Sequence, residues 1–220
     1  MTTLKIIDRA LLSLIGVILI ATLVLYAFDK EYFSLVFAAE DGPVEYGTAV
    51  FLFVASLVLA GHARSLIGQG RRGAAVLMAF YALMFFLAAG EEVSWGQRIF
   101  GWESGEFFQE NNYQDETNLH NLVVGGAQLA KTLFGSFLTT VILIYLVVLP
   151  VLYSRTSWVP ALANRLVAPM PWMHHGAIAL VASIVIAVID VNRKWEVYEL
   201  IFSLLVVSIF LLPQNRDKIT

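Results

Sequence analysis

The chain has 220 residues, 59% of them hydrophobic and only 14% charged, more apolar material than one soluble core can hide. A formal net charge of -3 without a long basic run leaves nothing for a nucleic-acid backbone. The absence of cysteine excludes disulfides, thiolate-held zinc or iron-sulfur clusters and a thiol nucleophile.

A hydrocarbon layer about 30 Å thick asks for roughly 20 apolar residues per crossing helix. Six stretches approach that length: Ala10 to Phe28, Val44 to Gly61, Ala74 to Gly90, Leu133 to Tyr153, Gly176 to Ile189 and Val197 to Leu212. The first follows Lys5 and Arg9 as a signal peptide would, but it is long enough to span and no small-residue cleavage site follows it directly, so it is read as an uncleaved span. The fifth is short and is expected to extend back to Trp172. Leu122 to Tyr153 is too long for one untilted span, so its first part is expected to form an interfacial helix or a protruding helix end, with Lys131 snorkelling. The expected fold is all-α: one polytopic membrane bundle of about six transmembrane helices over residues 1–220, with a polar outer segment at 91–121.

Basic residues beside spans stay on the cytoplasmic side, and that rule sets the orientation. With the N-terminus inside, one face collects Lys5, Arg9, Arg64, Arg71, Arg72, Arg155, Arg165, Arg216 and Lys218, and of the 17 acids only Asp8 and Asp217. All other acids fall on the opposite face. Both termini are therefore expected in the cytoplasm of a bacterium, with an acidic periplasmic face on its inner membrane.

Helix polarity sorts those acids. Glu45 follows Asp41, Gly42 and Pro43, a helix start with proline at the first position and an acid where the dipole is positive. Glu196 and Glu199 open the sixth span in the same way. Glu91, Glu92 and Asp190 stand instead at outward C-terminal helix ends, where the dipole disfavours negative charge. If the third helix continues past its apolar run, Glu91, Trp95 and Arg98 share a face and Arg98 can compensate. His120 is the one histidine of this face, and on a helix after Asp115 it shares a side with Glu116 at i, i+4. Acids at the hydrocarbon boundary are functional hypotheses by default.

The expected centre has Glu92, His120 and Glu91 as proton-moving residues, and Glu45, Glu92, His120, Glu116, Glu196 and Glu199 as ligands. Asp41, Trp95, Gln97, Arg98, Asn118, Asn121 and Asp190 are the expected polar support. Oxygen ligands with one imidazole suit a divalent metal such as Mn, Ca, Fe or Zn. Trp95, Trp102, Tyr113, Trp195 and Tyr198 match an interfacial aromatic belt.

The motifs GEEVSWGQR, ETNLHN and the upstream EDGPVEY resemble a family of small multi-pass bacterial membrane proteins without an assigned activity. EDGPVEY is also weakly similar to the entry of the alkaline ceramidase group of membrane hydrolases. That likeness implies an acidic cation site around Asp41 and Glu45. The three-histidine zinc centre of that group has only His120 to match it on this face.

Three functions fit these residues. The first is a metal-dependent membrane hydrolase or transferase acting on a lipid or lipid-linked substrate. The second is a proton- or cation-coupled transporter. The third is a noncatalytic accessory or assembly subunit, whose partner would be another membrane protein or a second copy of the chain.

Overall fold

The computed structural model describes residues 2–119, 121–124, 127–128 and 136–220. Six rods dominate it: α1 (Thr2–Phe28), α2 (Pro43–Gly68), α3 (Arg72–Glu92), α4 (Phe137–Arg155), α5 (Met173–Val188) and α6 (Lys194–Leu211). The first four are long and apolar enough to cross a membrane; α5, with 16 residues, and α6, with 18 residues, are shorter.

Helix α6 forms the core. Beyond Glu199 its residues are apolar around most of the circumference, and the run Ser203 to Phe210 is buried without interruption, as expected for a helix enclosed on all sides. It packs against α2, α1 and α5, while α3 lies on α2 and α4 lies on α5. The outer surface is as greasy as the core: Val17 is 61% exposed, Ile20 64%, Val76 71% and Ile184 63%. In water this surface would drive association; hydrocarbon is its natural solvent, and the chain reads as a membrane protein.

Local chemistry sets the helix limits. Helix α2 begins where predicted, with Gly42 as N-cap and Pro43 in the first turn, and Oε2 of Glu45 accepts the Asp41 backbone N–H at 2.7 Å. Helix α4 widens to a π-helix over Ile144–Val148, just ahead of Pro150. Proline has no N–H for the Leu146 carbonyl, and the wider turn absorbs that loss. Helix α5 starts beside Trp172, as predicted.

Two expectations are corrected. Leu122 does not begin a helix: it bridges to Asn112, and β1 (Val123–Val124) pairs antiparallel with β2 (Ala127–Gln128). Two β-branched residues before Gly125-Gly126 favour strand pairing over helix. Lys131 lies outside the described residues. Asp115 to Leu119 are not helical either, and His120, which the i, i+4 pairing with Glu116 needs, lies outside the described residues.

Candidate functional site: an acidic cavity at one end of the bundle

Helix α6 opens with Glu196 and Glu199, and α3 closes on Glu92. These helix ends meet, so that one carboxylate oxygen from each of Glu92, Glu196 and Glu199 lies within 4.8 Å of the others. The trio lines a cavity of about 170 Å³ whose lining residues are all polar or charged, seven glutamates against two arginines. Glu45, from the first turn of α2, lines it too.

Both arginines are committed to one side of the cavity. Arg98 donates through Nη1 to Oδ2 of Asp41 at 2.7 Å and through Nη2 to Oε1 of Glu40 at 2.7 Å, and it also contacts Glu116. Arg193 donates to Oε2 of Glu40 at 2.8 Å. Burial pushes the Glu40 carboxyl up, but the hydrogen bonds from Arg193 and Arg98 outweigh it and hold Glu40 below the ordinary carboxyl range. Burial likewise opposes the charged Arg98 guanidinium, yet Asp41 and Glu40 raise it above its usual value. No arginine or lysine of the described residues forms an ion pair with Glu92, Glu196 or Glu199. The trio brings three carboxyl groups to close range without an ion-pair partner among the described residues.

The segment after α3 folds over the cavity as a polar cap. Helix α3 stops at Glu92 because Ser94, Trp95 and Gly96 all take positive φ, at 45°, 56° and 81°. Two successive non-glycine residues in that region are costly, and side-chain contacts hold them there. The Ser94 hydroxyl donates to Oε2 of Glu116 at 2.7 Å, and Nε1 of Trp95 donates to Oε1 of Glu91 at 2.9 Å. The indole also lies flat on Gly90, where a Cβ would come within 2.8 Å of the ring.

Amides bind the rest of the cap. Asn118 donates to Ser94 Oγ at 2.8 Å and to Glu116 Oε2 at 2.7 Å. Gln97 Oε1 accepts the Thr117 N–H at 2.8 Å, and Gln114 Nε2 donates to Glu40 at 2.7 Å. Asn112 Oδ1 accepts the backbone N–H groups of Gln114 and Glu116, and Asn121 reaches both Gln114 and Glu116.

The residues singled out by sequence thus fall into groups. Glu92, Glu196 and Glu199 converge, and Glu45 shares their cavity while its carboxylate holds the start of α2. Glu116 is 5% exposed and is occupied by Arg98, Ser94 and Asn118, which makes it the anchor of the cap. Gln97, Arg98, Asn118 and Asn121 belong to that cap, and Asp41, in the turn before α2, meets it through Arg98. Glu91 is compensated by Trp95 and by the Leu119 N–H at 2.6 Å, not by Arg98, because the break after Glu92 turns Arg98 toward Glu40. Asp190 is exposed and stands apart from the cavity; the end of α5 is capped by Lys194 Nζ on the Ile189 carbonyl at 2.8 Å. His120 lies outside the described residues.

Sequence reasoning missed Glu40, Arg193, Asn112 and Gln114. The available signal was scarcity: Arg98 and Arg193 are among only five cations on an acid-rich face, so acids had to gather round them. Compared with known proteins, the chain matches no family model, no curated protein and no solved structure.

Proposed function

We propose that the protein is a six-span inner-membrane bundle whose periplasmic cavity binds a divalent cation through Glu92, Glu196 and Glu199. The convergence of their oxygens within 4.8 Å carries the reading. Two oxygens bound to one Ca²⁺ lie at most roughly 4.6–5.2 Å apart, twice a 2.3–2.6 Å ligand distance, so the spacing suits an ion of that size. Carboxylate ligands favour hard cations, which places Ca or Mn ahead of Fe or Zn. The chemistry such an ion supplies is polarisation of an ester, amide or phosphoryl oxygen, here on a lipid or lipid-linked substrate at headgroup depth. Elemental analysis of purified protein tests this: about one divalent ion per chain is expected, retained by Arg64→Gln and lost in Glu199→Gln.

Transport is the second reading, favoured because two of the trio, Glu196 and Glu199, stand on the central helix and not on a peripheral one. Its route is missing among the described residues of α6: between Glu199 and Ser208 the one polar side chain is Ser203, whose hydroxyl bonds the Leu200 carbonyl at 2.7 Å. Cation or proton flux into liposomes, lost in Glu92→Gln, is the result that would put transport first.

A further inference from the structure

The opposite end of the bundle holds a second and larger cavity of about 790 Å³. It is framed by the first turns of α1, the start of α5 and the chain after α6, from Leu212 to Thr220. Lys5 and Arg9 enter it from one turn of α1, and Arg216 from the other side. No carboxylate of the described residues lies within 4.0 Å of a nitrogen of these three cations, so none forms an ion pair.

The acids of the cavity are otherwise engaged. Asp8 accepts the Ser208 hydroxyl at 2.5 Å on the inner wall. Behind it, Nε2 of His175 lies 2.9 Å from Ser208 Oγ while Nδ1 accepts the Trp172 N–H at 3.0 Å. A neutral ring whose Nδ1 accepts carries its proton on Nε2, so His175 donates to Ser208 and Ser208 to Asp8. The chain of donors ends on Asp8 and turns its carboxylate into the bundle. Asp217 is paired with Lys218 at 2.9 Å.

Trp172 stands at the mouth, 43% exposed, with Nε1 donating to the Leu212 carbonyl at 2.9 Å. Beside the rim in sequence, Ile6 and Met173 expose their side chains on the apolar flank of the bundle. Three unpaired cations, an interfacial indole and a cavity opening beside a lipid-facing surface describe one kind of ligand. We infer that this cavity binds the headgroup of an anionic phospholipid, its phosphodiester between Arg9 and Arg216 with Lys5 as a further charge, and its acyl chains along α1. Basic pockets between membrane helices recognise phosphate headgroups in this way, and the volume lies within the range of small-molecule sites. The inference is independent of the acidic cavity.

The test is native mass spectrometry of the full-length protein in detergent with equimolar dioleoyl-phosphatidylglycerol and dioleoyl-phosphatidylcholine. Wild type should retain one phosphatidylglycerol with at least about tenfold preference. Arg9→Gln and Arg216→Gln should each fall toward parity, whereas Arg64→Gln, which removes a cation outside the cavity, should keep the preference. If Arg9→Gln does not fold, Lys5→Gln combined with Arg216→Gln reads the same site. No preference in wild type, or an equal loss in Arg64→Gln, would reduce the cations to general surface charge and overturn the inference. So would inorganic phosphate raising the melting temperature as much as phosphatidylglycerol, since the ligand would then be the free ion.

Discussion

Arg98 and Glu40 stand 58 residues apart in the chain and meet at 2.7 Å, with Asp41 and Glu116 on the same guanidinium. One arginine thereby ties the cap to the turn before α2. Only its planar fork can reach several carboxylates at once. Arg98→Ala is expected to destabilise by about 3 kcal/mol, because it leaves Glu116 buried without its cation. Arg98→Lys should recover less than half of that. Thermal unfolding in detergent, followed by tryptophan fluorescence from Trp95, measures both.

Glu40 gives the cap a pH dependence. Its folded carboxyl is held below the ordinary value, so its ionised form favours the folded state. The stability it contributes is fully present above the unfolded value of about 4.3 and is lost as pH falls through the lower, folded one. Melting temperature from pH 7 to 3 should therefore drop less steeply at the acid end in Glu40→Gln than in wild type. Superimposable profiles would mean that Arg98 and Arg193 do not stabilise this carboxylate.

Glu92, Glu196 and Glu199 predict the opposite sign for a charge removed. With no added cation, Glu92→Gln or Glu199→Gln relieves repulsion among converging carboxylates and should stabilise the protein by about 1 kcal/mol. Glu116→Gln, a substitution of the same kind within the cap, should destabilise by about 2 kcal/mol, since its new amide faces the donors of Arg98 and Asn118. Denaturant or thermal titration in a chelator resolves the two signs.

Helix packing gives a further check. A Cβ at Gly176 would come within 2.6 Å of the Leu146 carbonyl, whereas one at Gly61 would meet nothing within 4 Å. Gly176→Ala should cost about 2 kcal/mol by forcing α5 from α4, and Gly61→Ala should be neutral or stabilise by up to about 1 kcal/mol. Melting temperatures of the pair decide it.

Much of this organisation was legible in the sequence. The apolar runs located the six rods, Asp41-Gly42-Pro43 marked the start of α2, and the acids of EDGPVEY, GEE and the sixth run pointed to a shared patch. Helix polarity was informative because it depends only on chain direction. What stayed hidden depends on tertiary contacts. Nothing local in GEEVSWGQR announces three successive positive φ values; they persist because Glu116 and Glu91 hold Ser94 and Trp95. Once the helix breaks there, the i, i+7 geometry that pairs Glu91 with Arg98 disappears, and Arg98 becomes available to Glu40. The segment after Asp115 misled for a similar reason: Asp115 reads as a helix start, but Asn118 is held instead by Asn112 and Asn121.

The most direct measurement is the melting temperature of purified wild type, Glu92→Gln and Glu199→Gln across a titration of Ca²⁺ and Mn²⁺ from a chelated start. The account predicts a saturable rise for wild type, by RT ln(1 + [L]/Kd) in stability, and a flat response in both variants from a higher baseline. A flat wild-type curve, or one that the variants reproduce, would contradict a cation centre at these three glutamates.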